Sequence, residues 1–462
     1  MNLGMMIPHF SRMAGKAMWR FKMHTVVSQL SLIFGFICFI AAALLNNYVD
    51  DFDQHFPNSE RIFNLVMVDI ADSPMPDSFP IVNEPAARYL RAAFPEIPNI
   101  AQASMAFPQD YAIDGVSHVL SSKYVEERFF DIFPLETIAG IDTGEALPPN
   151  GVLITDEAAE RVFGTTDVLG QQMRLSNSVD VTIAGIARMP DSPTHLKAAI
   201  SLFDVDVFVP IEIQQRETRA RIAADGGDPD ADRWGNQSHY VHIEIPEDLP
   251  FTVADFNQQL DEFVQRTLPE ERREYMTYGL LPVNKVVTNT LSSLTGGFDV
   301  TNVLVFAGAL VLLIGCLNYS NLVIAQLSLR SQEIGVQKIL GSKRSLLILQ
   351  YCFESLLFVG LAILISMVLF LFLLASFDAS GMLGVGPHML LNPMLWLQIG
   401  SVVLLIVLIA GAYPALRTAT VPLVTMMRPK GSSGYSGRMR SLMVGFQFFI
   451  SGTLMILAIV MF

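Results

Sequence analysis

Charge is scarce in this sequence. Only 16% of its 462 residues are Asp, Glu, Lys or Arg, against 51% hydrophobic residues. A soluble chain of this length needs more charge to cover its surface, so the composition speaks for residence in a bilayer. Cysteine is scarcer still, with Cys38, Cys316 and Cys352 as the whole complement. All three lie in apolar stretches, with no CxxC and no Cys/His metal spacing. A disulfide scaffold is therefore excluded, and each cysteine reads as a small buried hydrophobe. Acids are nearly missing from most of the chain. Residues 46–300 hold 41 of the 44 acids against 17 basic residues, a net of −24, while the remainder has 3 acids against 13 basic residues, a net of +10. An acidic block of that kind is no surface for nucleic acid.

Long apolar runs are what the chain has instead. A bilayer is crossed by about 20 apolar residues at a rise of ~1.5 Å each. Four stretches qualify, at 26–45, 301–326, 346–377 and 394–416, and a fifth, 442–462, runs to the last residue. The flanks set the direction. Arg12, Lys16, Arg20 and Lys22 precede the first span, Arg330, Lys338, Lys343 and Arg344 lie between the second and third, and Arg417, Arg428, Lys430, Arg438 and Arg440 follow the fourth. Single crossings put all three basic segments on one side, which the positive-inside rule makes cytoplasmic. The N-terminus is then inside and the acidic block outside. Ala41 to Ala43 resemble a signal-peptide cleavage site, but the apolar run is long for one, so an uncleaved anchor is expected. For residues 1–25, with Met18, Trp19 and Phe21 among basic residues, two readings stay open: an amphipathic helix on the inner interface, or a simple charged flank.

The expected fold class is a membrane protein, an α-helical transmembrane bundle of four spans plus a fifth at the C-terminus, with a large mixed α/β extracytoplasmic domain inserted after the first span. Within 46–300, Arg61–Ile70, Val179–Ile186 and Tyr240–Ile245 have strand composition, while Glu84–Phe94, Asp156–Phe163 and Val253–Thr267 have helical periodicity. Whether they form one body or two subdomains is left open. Catalytic or metal-binding groupings are missing from this block. Asp228, Asp230 and Asp232 have calcium-loop spacing, but Arg233 stands at the turn-glycine position and His239 at that of the closing glutamate. His239 and His242, three apart in a strand, point to opposite faces, against joint metal binding.

The segment between the second and third spans, 327–345, is the most specific. Asn318 and Asn321 sit one helical turn apart near the inner end of a span and must find partners within the bundle. Arg330, Glu333 and Lys338 then alternate with Ile334, Val336, Ile339 and Leu340, before Gly341 as a helix stop. A short amphipathic helix of this kind suits docking into a partner's groove, although an interfacial elbow looks similar. Gly341-Ser342-Lys343 is no phosphate loop, because five residues separate Gly335 from Gly341 and no strand precedes it. Glu354, at the start of the third span, and Pro414, in the fourth, are expected to serve helix packing.

EIGVQKILGSKR, followed by LQYCFES, resembles the FtsX-like permease domain of MacB/FtsX-type ABC transporters, as do Asn318 to Leu322 and GAYPALRTATVPLVTMMRP. NSERIF, VEERFFDIFPLETIAG and VLITDEAAERVFGTTDVLGQQMRL resemble that family's periplasmic core domain. Gln337 departs from the basic residue common there. The resemblance implies a non-catalytic permease subunit of the bacterial inner membrane, with no cofactor on this chain and ATP and Mg on a separate ABC ATPase dimer. Arg330, Glu333, Ile334, Gly335, Lys338, Leu340 and Gly341 would couple to that ATPase. Other implied partners are a second permease half or copy, the bilayer, and a periplasmic adaptor or hydrolase, with no nucleic acid. The cargo is not readable. A rival reading is a membrane receptor with a ligand-binding outer domain and no ATPase; an ion-coupled transporter is disfavoured by the few charges within the spans.

Arg20-Phe21-Lys22 and Arg438-Met439-Arg440, 418 residues apart, share a basic–apolar–basic pattern, followed at equal distance by Gln29 and Gln447. Val26 and Val444 align as well. This resembles family members with two fused halves, so the chain is expected to be the first half of such a permease, with 417–441 as a cytoplasmic linker and 442–462 opening the second repeat.

Overall fold

The computed structural model describes residues 15, 19, 22–70, 78–176, 178–197, 204–248, 252–294, 299–329, 334–336, 339, 344–378, 387–412, 416 and 434–461. Of the segment 1–25, only residues 15, 19 and 22–25 are therefore described. Contacts divide the chain into two compact units, one of Met1–Asn47, Thr301–Ser380 and Val385–Phe462 and the other of Tyr48–Val300 with Gly381–Gly384.

The first helix, α1 (Lys22–Asp50), leads into the second unit, the head. The head's first part comprises β1 (Ile62–Asp69), β2 (Ser78–Phe79), β3 (Val82–Asn83), α2 (Ala86–Ala93), β4 (Asn99–Ile113) and β5 (Val116–Val125). Next come α3 (Phe129–Ile132), β6 (Glu136–Gly140), β7 (Gly151–Thr155), α4 (Asp156–Phe163), β8 (Gln172–Leu175) and β9 (Val179–Arg188). Its last part is β10 (Val207–Pro210), α5 (Ile211–Ala224), β11 (Gln237–Glu244), α6 (Val253–Thr267), α7 (Glu270–Arg273), β12 (Met276–Pro282) and α8 (Val286–Leu294). Among the described residues the twelve strands form one sheet, nine of them in the order β12-β1-β11-β4-β5-β10-β7-β9-β6, with β2 paired to β1, β3 to β11, and β8 to β4 and β9, so the head is one mixed α/β body rather than two. Pairing is antiparallel except for β5 with β10 and β7 with β9, where α4 and β8 make the crossover.

Local chemistry sets the element ends. Asp114 and Gly115, with φ of 49° and 80°, turn β4 into β5 in the two-residue geometry that needs positive φ at both positions. The Thr155 hydroxyl accepts from the Ala158 N–H at 3.2 Å and so caps α4, whose first turn holds Asp156 and Glu157 at the positive end of its dipole. Thr252 and Asp255 cap α6 reciprocally.

Both faces of the sheet are covered, which is why residues 62–66 of β1 are all buried rather than alternating. Phe63 and Leu65 share one buried cluster with Leu90 of α2 and Phe256, Leu260 and Phe263 of α6. Ile62 belongs to another, with Phe129 and Phe133 around α3 and Phe208 of β10.

The membrane unit adds α9 (Val300–Leu329), α10 (Arg344–Asp378), α11 (Pro393–Ile406), continued by a π turn over Val407–Ala412, and α12 (Gly434–Met461). With α1, five described helices are long and apolar enough to cross a bilayer. The chain is thus a helical membrane protein with a mixed α/β domain after its first span. Small residues bring α1 and α9 into backbone contact. A Cβ on Gly35 would lie 2.8 Å from the Leu312 Cα, one on Gly308 3.1 Å from the Cys38 carbonyl oxygen, and one on Gly315 2.9 Å from that of Ser31. Close approach of this kind replaces the hydrophobic driving force that lipid cannot supply.

These contacts predict opposite outcomes for one chemical change. Gly315→Ala is expected to destabilise the unit by about 1–3 kcal/mol through overpacking. Gly360→Ala, where a Cβ meets nothing within 4 Å, is expected to be neutral or to gain about 0.5–1 kcal/mol from helix propensity. Thermal unfolding of the detergent-solubilised full chain checks both.

Candidate functional site

Of the residues expected to couple to a partner, Arg330, Glu333, Lys338, Leu340 and Gly341 lie outside the described residues, as does Pro414. Ile334 and Gly335 are described and buried. Ile334 is 2% exposed and belongs to the bundle's buried cluster with Leu322, Leu347 and Tyr351. Val336 and Ile339 are 49% and 59% exposed. Among the segment's described residues, Ile334 is held in the bundle while Val336 and Ile339 are left open.

Polar side chains link the spans. The Asn318 amide donates to the Ser31 hydroxyl of α1 at 3.1 Å and accepts from the Gln447 amide of α12 at 3.0 Å. The Gln29 amide donates to the Phe358 carbonyl of α10 at 3.0 Å. The Tyr319 hydroxyl donates to that of Ser355 at 2.9 Å, and the Tyr319 ring stacks on Phe358 at 4.4 Å. Asn321 Oδ1 is buried without a partner among the described residues, and Glu354 accepts from Gln350 at 3.2 Å within α10.

A second group lies in the head, where its entry and exit segments meet. Asp53, three residues past the end of α1, is fully buried. Its carboxylate accepts from the Thr194 hydroxyl at 2.7 Å and the His195 N–H at 3.1 Å, and lies 3.0 Å from His195 Nδ1. The His195 and His242 rings are 5.2 Å apart, with Phe133 against both. Lys123 of β5 is buried too, donating to the Ser104 carbonyl at 3.0 Å with its ammonium 5.2 Å from the Tyr240 ring centre. These side chains, with Val283 and Val286 of the exit segment, line a cavity of about 20 Å³. Both ring nitrogens of His242 and Nε2 of His195 are buried without a hydrogen-bond partner among the described residues. Burial lowers the Lys123 amine to about 8, against an opposing pull from Asp53. Burial first, then His195 and Lys123, hold His242 well below its ordinary 6.5.

The remaining polar groups have structural work. Asp232 accepts from Arg88 and Tyr89, and the Asp228 carboxylate accepts from the Asp230 N–H at 3.0 Å, so this acidic loop ties down α2. His239 faces away from His242, toward Ser238. Elsewhere an open cleft of about 620 Å³ has a floor of Val125, Phe130 and Leu147 and a rim that includes Glu127, Glu212 and Arg216.

Two family models match the chain: the MacB-like periplasmic core domain over residues 25–245 and the FtsX-like permease C-terminal domain over residues 305–423. The chain belongs to the MacB/FtsX-type permeases. No curated protein matches it. Among solved structures, a permease-protein domain from Porphyromonas gingivalis is similar at 20% identity, over 50% of this chain and 92% of that one, with a TM-score of 0.39. The periplasmic region of MacB from Actinobacillus actinomycetemcomitans is similar at 11% identity, over 51% and 94%, with a TM-score of 0.33. The extracellular domain of the noncanonic ABC-type transporter YknZ from Gram-positive bacteria is similar at 11% identity, over 48% and 99%, with a TM-score of 0.31.

The permease is a multi-pass membrane protein of ABC-transporter type. Of its sequence-expected packing residues, the structure brings Asn318 against two other spans and pairs Glu354 with Gln350 of α10. Ser31, Gln447, Tyr319 and Ser355 complete these links, and sequence reading did not assign them to packing. Intramembrane polarity was the available signal. Asp53, His195 and Lys123 carried no local signal.

Asn318→Leu removes two interhelical bonds and is expected to cost about 1 kcal/mol, at ~0.6 kcal/mol each, measured by a double-mutant cycle with Gln447→Leu. Lys123 supplies a second prediction. The folded amine is lowered from 10.5 to about 8, so its favourable contribution is fully present above 10.5 and lost as pH falls through 8. Lys123→Met is therefore expected to stabilise the permease at pH 7 by about 1–3 kcal/mol, with the gain shrinking towards pH 10, as read by thermal melts at both pH values.

Proposed function

We propose that this permease couples ATP hydrolysis on a separate ABC ATPase dimer to movement of its head, for export, extraction or mechanotransmission. In this reading Arg330, Glu333, Ile334, Gly335, Lys338, Leu340 and Gly341 form the coupling segment. ATP and Mg belong to the partner, and a second permease half or copy completes the assembly. The basic flanks put the N-terminus in the cytoplasm and the head outside a bacterial inner membrane, within reach of an adaptor or hydrolase.

The observation that carries the reading is the split within the coupling segment. Ile334 is buried with Leu347 and Tyr351 of α10, while Val336 and Ile339 stand open. A partner that covers Val336 and Ile339 gains apolar burial, and a displacement of the segment is passed through Ile334 to the 35-residue helix α10. The glycine crossing and the Asn318 links then carry the displacement to α1, α9 and α12 rather than dissipating it.

Val336→Ser combined with Ile339→Ser tests this without disturbing a buried position. Loss of about 1.5–3 kcal/mol per covered apolar side chain is expected to weaken co-purification of the ATPase at least 10-fold, with an unchanged melt of the permease alone. Undiminished binding would remove the coupling assignment and favour a receptor that works without an ATPase.

A further inference from the structure

Asp53, His195, His242 and Lys123 belong to the head and not to the coupling segment proposed above, and their placement suggests a task of their own. Asp53 lies in the segment by which the chain enters the head. Val283 and Val286 lie in the segment by which it leaves, and both segments close over the same small cavity. We propose that this cluster is a proton-operated latch, holding the entry and exit segments together while His242 is neutral and letting them part when His242 gains a proton.

The geometry makes the protonated state untenable in place. A cavity of about 20 Å³ admits roughly one water, so an imidazolium there has no hydration shell. Among the described residues, the one carboxylate lining the cavity, Asp53, is already engaged by Thr194 and His195. Phe129 of α3 and Phe133 just after it pack on His242 edge-on, Lys123 comes from β5, and Tyr240 of β11, the strand that also carries His242, stacks on it at 6.1 Å. His195 stands between His242 and Asp53. Further out, half-buried His55 feels Asp53, His195 and Lys197. Val283 and Val286 contribute only apolar surface. The neutral form is favoured in the closed cluster, so the latch is fully held above the ordinary histidine value of 6.5 and weakens as pH falls from 6.5 through the folded value. A buried histidine beside a second cation is an arrangement that biases a two-state element with pH.

Hydrogen–deuterium exchange on the full chain in nanodiscs, at pH 7.5 and pH 5 with correction for intrinsic rates, tests the latch. Peptides covering residues 51–56, 193–197 and 283–290 are expected to exchange at least 10-fold faster at pH 5, with the strands β7 and β9 unchanged. His242→Leu is expected to keep these peptides protected at both pH values. Lys123→Met, which removes a cation opposing the proton in the closed cluster, is expected to make the protonated closed state easier to hold and so to move the opening to lower pH. Equal protection of the wild-type chain at both pH values would overturn the proposal, as would opening of His242→Leu with the wild-type pH dependence. If His242→Leu is already open at pH 7.5, the Lys123→Met midpoint decides, and an unshifted midpoint overturns the latch.

Discussion

Within hydrocarbon no hydrophobic force draws one helix to another, because lipid chains are as apolar as leucine. The bundle of this permease therefore rests on contacts that lipid cannot imitate: backbone against backbone at Gly35, Gly308 and Gly315, and amide against hydroxyl or amide at Asn318. The two kinds of contact act together. The glycines let α1 and α9 approach closely enough for Asn318 to reach Ser31, and the Asn318 carbonyl oxygen remains free to receive Gln447 from α12. A bundle held this way is specific in register, since a shift of one residue breaks both, and that specificity lets a displacement at one helix end be felt at another.

The head obeys the opposite rule. It is held by ordinary burial on both faces of a single sheet, with α2 and α6 over one face and α3 over the other. The buried charges Asp53 and Lys123 are costly within such a core unless paired or hydrogen-bonded; Asp53 sits where the chain enters the head, Lys123 in the central strand β5, and both meet their partners beside Phe129 and Phe133 of the second cluster.

Much of this was legible in the sequence. The spans followed from length and polarity alone, and Asp156–Phe163 and Val253–Thr267 read as helices with the limits the structure gives them. Periodicity reported faces correctly, as with His239 and His242. It could not report what stands opposite a face. His195 reaches Asp53 across 142 residues, and no local pattern encodes that meeting. The first span was read as ending near Leu45 because hydropathy measures the hydrocarbon, whereas α1 continues to Asp50 because its backbone has no reason to stop at the interface. The long β4–β5 hairpin was announced by Asp114-Gly115 and passed unread. The strand order depended on pairings between distant segments that composition does not constrain.

The central claim is that a nucleotide cycle on a partner moves the head. Its most direct measurement is the distance between spin labels at Val119 in the head and Trp396 in α11, both exposed, in the permease reconstituted with its ATPase. The account predicts that the distance distribution shifts by several ångström between the nucleotide-free and vanadate-trapped complexes. Superimposable distributions, with ATP hydrolysis intact, would contradict it.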